Sequence, residues 1–145
     1  MQVVDRDSTE CFSPTEGVEV AFPLHSATGA ADTATVWINL EPGATLPEHR
    51  DSAEELLLVI EGEVEARVDG ETGTLGERQF ALVPAMAPHG MTNTSDRPAR
   101  ILGFFSASTN VATFTEPMGG PGGPQVFVLG APMQIAVPLE EPVLA

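Results

Sequence analysis

The sequence predicts an all-β protein, a sandwich or barrel of many short strands, and three observations carry that reading. Fourteen glycines and 13 prolines are spread along 145 residues, a density of turn residues that interrupts helices before they can grow. Apolar and polar residues alternate in several stretches of strand length, which is the period of a half-buried strand. Turn signals recur between those stretches, as they do in sheets built from successive hairpins.

In chain order, Val18, Val20 and Phe22 mark the first alternating strand, Val36, Ile38 and Leu40 the second, and Val64, Ala66 and Val68 a later one. Leu56-Leu57-Leu58-Val59-Ile60 is apolar without interruption, so it reads as a strand buried on both faces. Asp69-Gly70 and the glycines at 73 and 76 are read as turns; Phe80 to Val83 is a strand stopped by Pro84, and Arg100 to Phe105 is another. After Ser108 the composition changes. Residues 117 to 124, Pro-Met-Gly-Gly-Pro-Gly-Gly-Pro, form a linker that leads to an extra strand at Val126 to Leu129 and an apolar tail. That tail needs a surface, either the domain's own sheet or a face across a homodimer. The expected organisation is a single domain over 1–145, with a barrel at about residues 18–108 and a C-terminal extension from about 109 to 145; no internal repeat is visible.

Charge and cysteine content narrow the functional classes. The chain carries 21 acidic and six cationic residues, all six of them arginine, for a net charge of −15. An acidic surface repels phosphate backbones and anionic headgroups, so nucleic-acid and membrane partners are not expected. The single Cys11 has no internal partner for a disulfide, which suits a reducing compartment, and it is read as a bystander. The N-terminal MQVVDRDSTE lacks an apolar run, and no stretch approaches the length of a membrane span, so the expectation is a cytoplasmic protein.

Three histidines are present, and two of them stand in proline-flanked segments, Pro47-Glu48-His49-Arg50-Asp51 and Pro84-Ala85-Met86-Ala87-Pro88-His89. His49 and Asp51 are two residues apart and face the same side of an extended segment, and Glu55 opens the next strand where it can turn to the same interior. Gly43, His49, Asp51, Glu55 and Gly62 are separated by five, one, three and six residues, and this run resembles the first motif of the cupin superfamily. Arg78, Pro84, Met86, His89 and Asn93 are similarly in register with its second motif. Three positions depart from the pattern: Asp51 stands where the family has its second metal histidine, and Arg78 and Met86 replace glycines.

The resemblance implies a double-stranded β-helix, the jelly-roll barrel of cupins, with a metal site inside. It assigns His49, Glu55 and His89 as metal ligands, while Asp51 either ligates directly or acts beside the ion as an orienting group or a catalytic base. Two imidazoles with one or two carboxylates suit a divalent ion such as iron, manganese, zinc, nickel or cobalt. The function expected is a small-molecule enzyme of dioxygenase or isomerase type. The alternative is a non-catalytic cupin that binds or senses a small ligand. The resemblance also implies a homodimer.

By parity, Leu57 and Val59 follow Glu55 inward, and Met91 and Asn93 follow His89, giving apolar pocket walls. Trp37, Phe80 and Phe104 are read as core or lining aromatics, His25 as a satisfied histidine outside the site, Arg67 and Arg100 as solvent-facing, and Glu61, Glu63 and Glu65 as one solvated strand face. No Gly-x-Ser-x-Gly elbow occurs and no histidine neighbours Cys11, so a serine or cysteine hydrolase is not indicated.

Overall fold

The computed structural model describes residues 1–130 and the backbone of residues 134–135. Its strands, in chain order, are β1 (Cys11–Phe12), β2 (Val18–Ala21), β3 (Ala34–Leu40), β4 (Thr45–Asp51), β5 (Glu55–Glu61), β6 (Glu63–Val68), β7 (Glu71–Gly76), β8 (Phe80–Val83), β9 (His89–Thr92), β10 (Ala99–Phe105), β11 (Asn110–Phe114), β12 (Val126–Leu129) and β13 (Gln134–Ile135). They form two antiparallel sheets, one ordered β1-β2-β3-β10-β5-β8 and the other β13-β12-β11-β4-β9-β6-β7. This is the jelly-roll architecture, in which neighbours in a sheet are often distant in sequence. Among the described residues no helix is long and apolar enough to cross a membrane.

Alternation places one residue set between the sheets. Val36, Ile38 and Leu40 of β3, Leu57 and Val59 of β5, Val64 of β6, Met91 of β9 and Ile101 of β10 are all buried there. Each such side chain contributes on the order of 1.5–3 kcal/mol when removed from water. Leu57, Val59, Met91 and Asn93 are all buried as parity expects, but of the four Leu57 and Met91 line the cavity, while Val59 and Asn93 do not.

The outer face of the β1–β8 sheet corrects two expectations. The apolar run of β5 is buried on one face only: Leu57 is 2% exposed, whereas Leu56 is 44% exposed. Phe80 and Phe104 are not core or lining residues, being exposed on that same outer face, with Leu82 and Ile60 beside them. Both errors have one cause, the openness of this face. Arg6 lies over Trp37 at one side of it, but Leu56, Phe80, Leu82 and Phe104 stand exposed, as polar residues would be. Gly73 is likewise no turn, because it lies within β7 opposite Ala66. The acidic run at 61, 63 and 65 is not one strand face either, since Gly62, at φ 86°, separates the end of β5 from the start of β6.

Turn chemistry accounts for the hairpins. Asp69 and Gly70 both have positive φ, 49° and 83°, the conformation that joins β6 to β7 with a right-handed twist. Arg78 and Met86, the two residues that stand in place of motif glycines, also have positive φ, 65° and 64°. The backbone path that glycine makes easy is kept by residues for which it is strained. The Met86 turn is braced on β4: its N–H donates to the Asp51 carbonyl at 2.8 Å, and its carbonyl accepts from Arg50 Nη1 at 2.8 Å.

Beyond the linker, β12 pairs with β11, and β11 pairs with β4. The extra strand therefore extends the chain's own sheet. Residues 136–145, which include most of the apolar tail, lie outside the described residues.

Candidate functional site

Local geometry in β4 aims its functional residues. Leu46 faces Met91 and His49 faces His89, so three steps on β4 match two on β9, and the extra residue forms a bulge around Pro47 and Glu48. Proline is tolerated at such a bulge because no ladder hydrogen bond is required of it. The result sets the two imidazole rings against each other, with centroids 4.1 Å apart. Asp51, two residues beyond His49, emerges on the same face. Glu55 opens β5 on the opposing sheet and points toward the same space.

His49 Nδ1 lies 2.8 Å from the Pro47 carbonyl oxygen and His89 Nδ1 lies 2.9 Å from that of Ala87. A carbonyl can only accept, so each Nδ1 carries a proton and each Nε2 faces the interior, where it offers a lone pair whenever its ring is neutral. Asp51 Oδ2 lies 2.9 Å from His89 Nε2 and 3.6 Å from His49 Nε2; Glu55 Oε1 lies 3.3 Å from His89 Nε2. His49, Asp51 and His89 each offer a ligand atom, and these atoms all lie within 4.8 Å of one another. The structure thus brings all four sequence-predicted residues together, with Asp51 rather than Glu55 in the tightest set.

The electrostatics follow from burial and proximity. Burial alone would lower the His89 pKa, but the Asp51 and Glu55 carboxylates outweigh it and lift the ring to about 10. For His49 burial wins over the attraction of Asp51, and its pKa falls. Burial also pushes Glu55 up, to about 7. Asp51 is buried as well, yet His89, His49 and the Asn110 amide together hold it below the ordinary aspartate value.

The donor set fits a divalent cation. Asp51 Oδ2 and His89 Nε2 are buried and close, yet neither has a partner in hydrogen-bonding geometry, so their 2.9 Å approach is charge attraction without an aligned bond. Atoms of this kind, two imidazole nitrogens and a carboxylate oxygen facing one point, are the ligands of transition metals. Positive charge gathered on His89 between two carboxylates is the charge that such an ion would supply.

Several contributors were not visible from sequence. Asn110 of β11 donates from Nδ2 to Asp51 Oδ1 at 2.8 Å, while its Oδ1 accepts from the Ala53 N–H at 3.1 Å. One carboxylate oxygen is thereby occupied and the other left for the site. Phe114 stacks on His49 with centroids 4.7 Å apart and meets Phe127 edge-on. Gly103 of β10 sits behind Glu55; a Cβ there would come within 2.5 Å of Glu55 Oε2 and 2.6 Å of Val36 Cγ1. The only local signal for any of these was the strand pattern itself.

Other residues singled out from the sequence lie elsewhere. His25 accepts the Ala27 N–H through Nδ1 and caps the short 3-10 turn Ser26–Thr28. Asn93 donates to the Leu40 and Arg97 carbonyls and fastens the turn after β9. Arg67 approaches Glu65, and Arg100 approaches Glu61, both on the outside. Above the four-residue cluster opens a cavity of about 490 Å³, walled mainly by apolar side chains, with Cys11 among its lining residues.

Comparison with known proteins agrees with this geometry. Residues 36–105 match the family model described as the cupin domain. A sugar phosphate isomerase from a cupin superfamily of Silicibacter pomeroyi is 19% identical, with a TM-score of 0.66 over 96% of this chain and 97% of that one. The polyketide cyclase RemF from Streptomyces resistomycificus is 19% identical, with a TM-score of 0.63 over 72% of this chain and 78% of that one. An RmlC-like cupin from Shewanella frigidimarina is 21% identical, with a TM-score of 0.60 over 71% and 87% of the respective chains. No curated protein matches the sequence. At these identities the structural likeness speaks for the fold.

Proposed function

Residues 36–105 of this chain are a cupin domain, and from that premise we propose that the protein is a metal-dependent enzyme acting on a small molecule. His49, Asp51 and His89 would hold the divalent ion, with Glu55 beside them. The observation that carries this reading is the convergence of two imidazole Nε2 atoms and a buried carboxylate within 4.8 Å at the floor of a cavity. When bound, the ion would act as a Lewis acid that polarises an oxygen of the ligand.

The chain's own residues supply the rest. Asp51, kept anionic and tethered by Asn110, is the fixed charge of the site. Glu55, which burial raises to about 7 in the ion-free site, stands beside the ligand set where a carboxylate can take up and return a proton. That pairing favours isomerase-type proton transfer, and likeness to folds that include a sugar phosphate isomerase and a polyketide cyclase supports it. Dioxygenase chemistry is the second outcome if the ion is iron. The apolar walls exclude bulk water from either reaction.

We take the barrel and the β11–β12 extension as one functional domain, because Asn110, Phe114 and Phe127 come from the extension and line the cavity. We also propose a homodimer formed through the outer face of the β1–β8 sheet. Leu56, Phe80, Leu82 and Phe104 are exposed there and carry no charge, in a chain with 21 carboxylates that would otherwise repel a second copy.

Elemental analysis of protein purified without chelators tests the centre. A transition ion near one equivalent, lost in His89→Ala, is expected; equal metal content in that variant would refute the ligand set. Loaded protein is then assayed for isomerisation and oxygen consumption on a small-molecule panel, and binding without turnover would favour the non-catalytic reading.

A further inference from the structure

We propose that the ligand of this site is neutral and largely apolar, an aromatic ring system bearing a hydroxyl or carbonyl oxygen, and is not a carboxylate, uronate or phosphorylated sugar. The inference rests on the site proposed above and adds the chemical class of what enters it.

The lining decides the matter. Phe12, Phe22, Phe105, Phe114 and Phe127 reach the cavity of about 490 Å³, a volume in the range of pockets that enclose small organic molecules. Aromatic walls favour flat rings through stacked and edge-on contacts, and the Phe114–Phe127 pair already shows the edge-on arrangement. The polar groups lie mainly at the floor, where His49, Asp51, Glu55, His89 and Asn110 meet.

A binding site for an anion needs a positive group that is free to pair with it, and this cavity is lined by no arginine or lysine, while its one cationic side chain, His89, is already flanked by Asp51 and Glu55. The chain contains six arginines and no lysine, and residues 131–145 contribute neither. None of the six lines the cavity. Arg6 pairs with Glu19, Arg50 bonds the Met86 carbonyl, Arg67 donates to Thr92, and Arg100 faces Glu61. Arg78 and Arg97 are exposed. With a divalent ion bound and both floor carboxylates ionised beside it, the charges would cancel and the loaded centre would present no excess positive field. Around it the chain carries a net charge of −15, which lowers the local concentration of any anion. An anionic ligand would lose its water in an apolar chamber without gaining a counter-charge. A neutral ring loses little water and gains the phenylalanine walls, while its oxygen turns to the floor.

The test uses the full chain loaded with Mn²⁺, its metal content measured first. Calorimetric titration and the Mn²⁺ electron paramagnetic resonance line shape are followed with 2-acetyl-1-naphthol, and separately with oxalate, galacturonate and glucose 6-phosphate. Acetylnaphthol is expected to bind about a hundredfold more tightly than any of the three anions, a difference set by desolvation of their charge. Phe127→Ala and Phe22→Ala should each weaken it about tenfold with Mn²⁺ content unchanged. An anion that binds as tightly as acetylnaphthol, or no acetylnaphthol binding at all, overturns the inference. Failure of the metal site is read separately: if the protein does not retain Mn²⁺, the same titrations on the metal-free chain still decide between neutral ring and anion.

Discussion

The two carboxylates at the cavity floor stand on opposite sheets and are held by opposite means. Asp51, on the β4 side, is gripped by a hydrogen bond from Asn110 and lies against His89. Glu55, on the β5 side, owes its position to an empty space, because Gly103 behind it has no side chain. They differ in acidity too: His89, His49 and Asn110 hold Asp51 below its ordinary pKa, whereas burial and the Asp51 charge raise Glu55 to about 7 in spite of His89. Several donors outweigh burial and fix the charge of Asp51, whereas burial beside another carboxylate leaves the Glu55 proton exchangeable. One floor can therefore hold a permanent anion and a proton carrier a few ångströms apart.

The largest expected effect comes from removing the gripped anion. Asp51→Ala should destabilise the metal-free protein at pH 7 by about 3 kcal/mol, because it leaves the His89 charge short of its nearest partner; urea unfolding measures it. A loss no greater than that of Glu55→Ala would erase the distinction. Asn110→Ala comes next, with Mn²⁺ affinity expected to fall about 10–100-fold by calorimetry. In an Asp51→Ala background the same substitution should cost nothing further if Asn110 acts through Asp51.

On the other side, Gly103→Ala forces a methyl group onto Glu55 and Val36 and should cost about 1–3 kcal/mol of stability, read by chemical denaturation. An unperturbed variant would mean that Glu55 does not depend on the gap.

The pH dependence of the metal-free protein is the gentlest test. Stability from protonated His89 is complete below the unfolded value of 6.5 and is lost as pH rises through about 10. The cost of ionising Glu55 sets in above its unfolded value of 4.5 and is complete above about 7. Both act in one direction and His49, whose pKa burial lowers, opposes them only below about 6.5, so the melting temperature should fall as pH is raised from 6.5 to 10, and saturating Mn²⁺ should flatten that decline. A metal-free melting temperature that rises over this interval would contradict both assignments.

Much of the fold and of the floor was legible because both rest on short-range rules. Alternation of period two located β2, β3 and β6, and the same parity sends His49 and Asp51 to one face. Leu56 to Ile60 defeated that rule because an unbroken apolar run has no parity to read, and only the packing shows which side is covered. Phe80 and Phe104 misled for a related reason: aromatic residues mark burial on average but do not say whether a second layer exists. Asn110 was beyond reach for a different reason. It lies 59 residues from Asp51, and its partnership arises only because β11 is laid along β4.

The turn before His89 stores strain. Met86 holds a left-handed backbone that costs on the order of 1–3 kcal/mol, and it is fastened at both ends of its peptide to β4, the strand that carries the other histidine. It works as a sprung catch: the segment can relax only by letting go of Arg50 and the Asp51 carbonyl, so the two motifs, although separated along the chain, are latched to each other.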